Sequence, residues 1–221
     1  METVLITGAN RGIGLELVRF HVNRGDKVIA VCRNLSEALN ESGAHIISDV
    51  DWANDDAINK LSEQMGDVSV NRVIASAGLR RCEDYDSLDF DSIRYQYEVN
   101  TLGPLRLIRY LDNYLVRGAK VVLMSTMVAS LKDNQSGGEF GYRMSKAALN
   151  MVGVNLAHAL KPKEIAVFLL HPGYVRTDLT GGEGLIDADE SAAAIVAVTD
   201  KLSFEDTGCF WHAAWDEEIP W

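Results

Sequence analysis

Seven short apolar runs punctuate the chain: TVLITG, KVIAVCR, HIISDV, RVIASAG, KVVLMST, IAVFLLHPG and GCFWHA. In most of them hydrophobic residues fill consecutive positions rather than every second one. That pattern fits strands covered on both faces, as in a parallel sheet. Between the runs lie segments of helical period, around residues 12–24, 54–65, 90–115, 142–160 and 188–202, with a shorter one beginning near Ser36. In DWANDDAINKLSEQM, Asn54 is placed to cap a helix whose apolar positions are Ile58, Leu61 and Met65. The alternation predicts an α/β fold, doubly wound around a mostly parallel seven-stranded sheet, with helices on both faces and right-handed crossovers. No repeat, low-complexity tract or Pro/Gly-rich linker divides the 221 residues, which read as one domain, 1–221.

Composition narrows the partners. Hydrophobic residues make up 47% and charged residues 24%, a globular balance. A net charge of −11 argues against nucleic acid, which calls for a clustered basic surface, and against an anionic membrane surface. No apolar run approaches the roughly 20 residues that cross a bilayer. METVLITGAN lacks a basic segment followed by a separate apolar one, so no secretory leader is expected. Cys32, Cys82 and Cys209 are too widely spaced for a disulfide framework or a metal site. Reduced thiols in a cytoplasmic protein are the expectation, with Cys32 in the core.

Candidate chemistry begins where the first strand runs into TGANRGIG. Gly8, Gly12 and Gly14 are spaced G-x-x-x-G-x-G ahead of a helical segment. Glycine permits a tight turn and close backbone approach. The helix start offers N–H groups and a favourable dipole to a pyrophosphate. Glycines also serve turns and packing; the strand–turn–helix context is what predicts a dinucleotide site. The second strand ends AVCRN, with no acid to hold ribose hydroxyls. Arg33, with Arg11 from the glycine turn, offers forked bonds to a 2′-phosphate. NADP(H) is therefore expected over NAD(H), unless both arginines are merely solvated.

SDV, ASAG, YEVNTLGP, MST, YRMSK and HPGYVRTD follow in order. With TGANRGIG they resemble the short-chain dehydrogenase/reductase family over nearly the whole chain, which implies a Rossmann-like fold. NQSGGEFGYRMSKAALN, LLHPGYVRTDL and EEIPW are most similar to the compact C-factor and sniffer-type carbonyl reductases. The resemblance implies cofactor contacts from Gly8, Asn10, Arg11, Gly12, Ile13 and Gly14, and from Arg33. It implies that Asp49 and Val50 flank the adenine, that Ala77 and Gly78 line a ribose, and that Pro172, Gly173, Val175 and Thr177 hold the nicotinamide. Ala75 and Ser76 stand where the family usually has two asparagines.

Carbonyl reduction needs a hydride at carbon and a proton at oxygen. Tyr142 and Lys146 are i and i+4, so on a helix they share one face. A free tyrosine has a pKa of about 10, and a nearby cation lowers it by stabilising tyrosinate. Alone, the pair reads as ordinary helix surface. The glycine turn and HPGYVRT map to the same end of the sheet and make it a candidate proton-transfer site. The resemblance implies that Tyr142 donates the proton, that Lys146 also bonds the nicotinamide ribose, and that Asn100 holds a water linking Lys146 to solvent. It further implies a serine after the fifth strand to orient the carbonyl. At the family's usual spacing that position is Ala129. Allowing for the longer KDNQSGGEF loop it is Thr126, whose hydroxyl makes the same bonds while its methyl narrows the pocket. Ser125 and Ser130 are the alternatives.

The resemblance thus implies an NADPH-dependent reductase of aldehydes or ketones. Its C-factor branch leaves open an NADP-binding signalling or interaction protein with little turnover. The short segment near 178–190 predicts an open substrate pocket, with Met127, Val128, Phe140 and Tyr174 as candidate walls. Family members often pair the helices corresponding to 90–115 and 142–160. A homodimer through Leu105, Leu149 and Val152 is the expectation, although these residues would equally serve the sheet.

Overall fold

The apolar runs become strands of one sheet. In a computed structural model that describes residues 1–221, β1 (Thr3–Thr7), β2 (Lys27–Val31), β3 (His45–Ile47), β4 (Val70–Ala75), β5 (Leu115–Met124), β6 (Ala166–His171), β7 (Phe210–His212) and β8 (Glu217–Glu218) lie in the order β3-β2-β1-β4-β5-β6-β7-β8. The first seven are parallel, and β8 returns antiparallel to β7. The sheet has eight strands rather than the expected seven, because β8 is two exposed glutamates with no apolar signal.

Seven α-helices cover both faces: α1 (Gly12–Asn23), α2 (Glu37–Asn40), α3 (Asp56–Met65), α4 (Phe90–Tyr97), α5 (Gly103–Leu111), α6 (Phe140–Leu160) and α7 (Ala188–Lys201). Val4 and Ile6 of β1 pack into the core under α1 and α7, whereas Leu5 packs into the core under α3, α5 and α6. Successive strand residues point to opposite faces, so a strand with two covered faces is apolar throughout. Ser36 caps α2 by accepting the Leu39 N–H at 3.2 Å. The residue preceding α3 is Asp55, not Asn54.

The expected helix over 90–115 is three pieces. α4 ends at Tyr97, Glu98–Leu102 winds as a π turn, and α5 stops at Leu111 before β5 begins. The Gly103 N–H reaches back to the Glu98 carbonyl across the wider turn. A Cβ on Gly103 would stand 2.8 Å from Trp52 Cβ, so α5 starts in close contact with the segment after β3. Leu149 is fully buried in the core of the chain itself, while Leu105 and Val152 are half-buried. No helix is long and apolar enough to cross a membrane.

Candidate active site

Two clefts open side by side at the carboxyl ends of the strands, where ligands of doubly wound folds bind. The first, of about 540 Å³, is floored by Gly8, Asn10, Arg11, Gly12, Ile13 and Gly14. Arg33 from the end of β2, Val50 after β3, and Ala77 and Gly78 after β4 complete it. Asp49 does not line it. Its backbone is left-handed at φ 61, its carboxylate accepts the Ser48 hydroxyl at 3.0 Å, and Asp51 and Trp52 take its place on the wall.

The glycine turn packs backbone against backbone. A Cβ on Gly14 would lie 2.1 Å from the Gly8 carbonyl oxygen, and one on Gly8 would lie 2.8 Å from the Ala77 backbone. Thr7 Oγ1 accepts the Ala77 N–H at 3.1 Å and ties the ASAG loop to β1. Arg11 precedes α1 without capping its first N–H groups, which are left for an anion. Arg33 donates to the Tyr95 hydroxyl at 3.1 Å and stands 4.0 Å from Asp51. Arg11 pairs with Asp178 at 2.7 Å, joining the glycine turn to the segment after β6. The uncapped helix start and arginines around a glycine wall fit a dinucleotide's phosphates.

The second cleft, of about 530 Å³, shares Ile13, Ser76, Gly78, Thr177 and Leu179 with the first. Thr126, Tyr142, Lys146, Pro172, Gly173 and Val175 line it. Tyr142 and Lys146 lie one turn apart on α6, both buried. Lys146 Nζ donates to the Met124 carbonyl at 2.7 Å. Burial pushes the Tyr142 hydroxyl up to about 12; the facing Thr126 hydroxyl and the Arg80 charge pull it down, and Glu139 raises it. Burial pushes Lys146 down to about 8. The expected lowering of Tyr142 by Lys146 is therefore corrected. Desolvation of both groups dominates, and the cation acting on Tyr142 is Arg80, which sits on the cleft wall paired with Glu139.

Thr126 sits at the carboxyl end of β5 in extended backbone. The rival hydroxyls are engaged elsewhere: Ser125 Oγ donates to Asn150 Oδ1 at 2.6 Å, and Ser130 Oγ accepts the Asp133 N–H at 3.2 Å. Asn100 is fully buried in the π turn, behind the cleft. Its Nδ2 donates to the Leu79 carbonyl at 2.8 Å and to Ser145 Oγ at 3.0 Å, and its Oδ1 accepts the Leu79 N–H at 2.9 Å. A Cβ on Gly78 would lie 3.2 Å from Asn100 Oδ1 and 3.4 Å from Lys146 Nζ, so both face the Gly78 backbone.

Met127, Val128 and Tyr174 are cleft walls as expected, whereas Phe140 is not and packs toward Tyr85 instead. The segment after β6 folds back on itself, with the Leu185 N–H donating to the Tyr174 carbonyl at 2.7 Å. β7 and the turn after it contribute His212, Ala214 and Trp215, which the sequence reading missed. His212 meets His171 edge-on, ring centres 4.6 Å apart. The Trp215 indole stacks on His212 at 4.0 Å with planes 5° apart. Burial, with the neighbouring ring, lowers His171 to about 3, and burial also lowers His212, so both rings are neutral at physiological pH. The available signal was H-A-A-W at the carboxyl end of the last parallel run.

The family model described as short chain dehydrogenase matches residues 2–184. The chain belongs to the short-chain dehydrogenase family. This short-chain dehydrogenase is 40% identical over 219 residues to the 1-hydroxy-2-glutathionyl-2-methyl-3-butene dehydrogenase of Rhodococcus sp. (strain AD45), covering 96% of this chain and 97% of the relative. It is 35% identical over 136 residues to C-signal of Myxococcus xanthus, covering 61% of this chain and 81% of that one. Its structure superposes on the carbonyl reductase Sniffer of D. melanogaster with a TM-score of 0.91 at 29% identity, covering 100% of both chains. A carbonyl reductase from Pseudomonas aeruginosa PAO1 in complex with NADP gives a TM-score of 0.84 at 31% identity, again over 100% of both. The short-chain dehydrogenase is thus an oxidoreductase with a Rossmann-like fold.

Proposed function

We propose that the chain reduces aldehyde or ketone carbonyls with NADPH. The observation that carries this reading is the convergence of Tyr142, Thr126 and Lys146 on a cleft continuous with the glycine-turn cleft. A nicotinamide cofactor along the glycine turn supplies the hydride. Thr126 donates to the carbonyl oxygen and steadies its developing charge. Tyr142 gives its phenolic proton to the same oxygen. Burial keeps that phenol protonated until it is used, and Arg80 and Thr126 stabilise the tyrosinate left behind. Lys146 passes the replacement proton inward. Because the Asn100 side chain is committed to Leu79 and Ser145, the relay water is assigned to its backbone carbonyl in the π turn.

Arg33 on the cofactor wall favours the phosphorylated cofactor, as does the likeness to a reductase solved with NADP. The Rhodococcus relative is named as a dehydrogenase of a hydroxy compound. The same groups serve that direction with Tyr142 accepting the proton.

The test is steady-state NADPH oxidation with a panel of aldehydes, ketones and quinones. Tyr142→Phe is expected to lower kcat by about a hundredfold or more while NADPH affinity is kept. Binding of NADPH without turnover of any panel member sinks the reading. The likeness to C-signal favours one second reading, a cofactor-bound signalling protein; a biological effect that survives Tyr142→Phe would support it.

A further inference from the structure

We propose that Trp215 is a specificity-determining residue that stacks the planar ring of an aryl carbonyl substrate, held in place for that task by His212. The proposal deepens the reductase reading and rests on it for the identity of the ligand as a substrate.

Three rings climb from the floor of the reaction cleft to its rim. His171 at the end of β6 is buried, and its Nδ1 has no hydrogen-bond partner. His212 stands in register with it across the β6–β7 pair and is also buried. Trp215 is 59% exposed. The Trp215 backbone N–H donates to His212 Nδ1 at 3.1 Å, so the neutral imidazole carries its proton on Nε2. The imidazole then lies flat against the indole. One indole face is packed and its tilt is fixed, while the residue retains a large exposed surface on the wall that includes Tyr142 and Thr126.

An indole fixed before the ligand arrives loses little side-chain freedom on binding. The ladder presents no charge to a ligand, and the surrounding wall of Met124, Met127, Val128, Val175 and Ile186 is apolar. An aromatic ring gains offset stacking on such a face, whereas a saturated ring of the same size meets it only through C–H edges. The indole face therefore favours a planar ring over a saturated ring of the same size.

Benzaldehyde and cyclohexanecarbaldehyde, compared by NADPH oxidation, isolate this property. Trp215→Ala is expected to raise the KM for benzaldehyde about three- to tenfold and that for the alicyclic aldehyde by no more than about twofold, with kcat for each within about twofold. Trp215→Phe is expected to restore most of the aryl preference. His212→Ala is expected to lose that preference with Trp215 still present; full retention removes His212 from the proposal. Equal losses for both aldehydes in Trp215→Ala overturn it. A second readout needs no turnover: benzamide is expected to quench the tryptophan fluorescence of the NADPH-bound wild type but not of Trp215→Phe. An identical response in both proteins, or none in the wild type, also overturns the platform. Quenching through Trp215 without reduction of any aldehyde supports the platform and sinks the reductase reading, so the two failures are distinct.

Discussion

Tyr142 sits where burial raises its pKa and the Thr126 hydroxyl faces it and lowers it in part. In the proposed mechanism the threonine methyl is incidental and its hydroxyl is essential. Thr126→Ser is expected to hold kcat within about fivefold, and Thr126→Val to lower it by about a hundredfold or more, measured with saturating NADPH. Gly14 gives a sharper case, because an added Cβ meets a carbonyl oxygen of the same turn at 2.1 Å. Gly14→Ala is expected to displace the turn and weaken NADPH binding at least about tenfold by titration. Arg33→Ala is expected to weaken NADPH about tenfold and leave NADH binding unchanged, since only the 2′-phosphate loses a charge-assisted bond. Tyr142, Lys146 and the glycines were legible because their spacing lies within one element. Arg80 and Trp215 were not, because strand ends far apart in sequence bring their loops to the same cleft.

At the scale of elements, helix α6 carries both Tyr142 and Lys146 and lies close against β6. A Cβ on Gly153 would stand 2.7 Å from the Leu169 side chain, which is fully buried. Gly153→Ala is expected to destabilise the protein by about 1–3 kcal/mol in urea unfolding, and to lower kcat by shifting the helix. The parallel strands were legible because a doubly covered strand needs apolar residues on both faces. Boundaries were less so. Arg117 and Gly118 obscured the start of β5, and the π turn at Glu98–Leu102 obscured the division between α4 and α5. The π turn changes the phase of the helix. Each extra residue advances the sequence pattern by about 100° on the helical wheel, so the spacing of buried positions changes phase between α4 and α5.

Over the whole molecule, charge is organised so that acid works against the fold. Burial lowers His21, His171 and His212. For Asp26, burial alone would raise the carboxyl, but bonds from the Glu2 backbone, His21 and Arg24 outweigh it and pull it down. Asp200 behaves likewise under Arg72 and Arg24. Each of these groups binds its proton less readily in the folded chain than in the unfolded one. The histidine contributions are therefore complete above about pH 6.5 and fade as pH falls, with the carboxylates adding to the loss below about pH 4. The calorimetric Tm is expected to fall from about pH 6.5 downward in two stages. The doubly wound architecture behind this was legible from strand–helix alternation. The polar network was not, because it joins residues as distant as Glu2 and Asp200 through the buried Arg72. The order of strands also has a consequence in time. The glycine-turn cleft draws no wall beyond Leu179, whereas the reaction cleft requires His212 and Trp215. In a chain synthesised from its amino end, every residue that walls the cofactor cleft therefore emerges before the strand that gives the reaction cleft its far side.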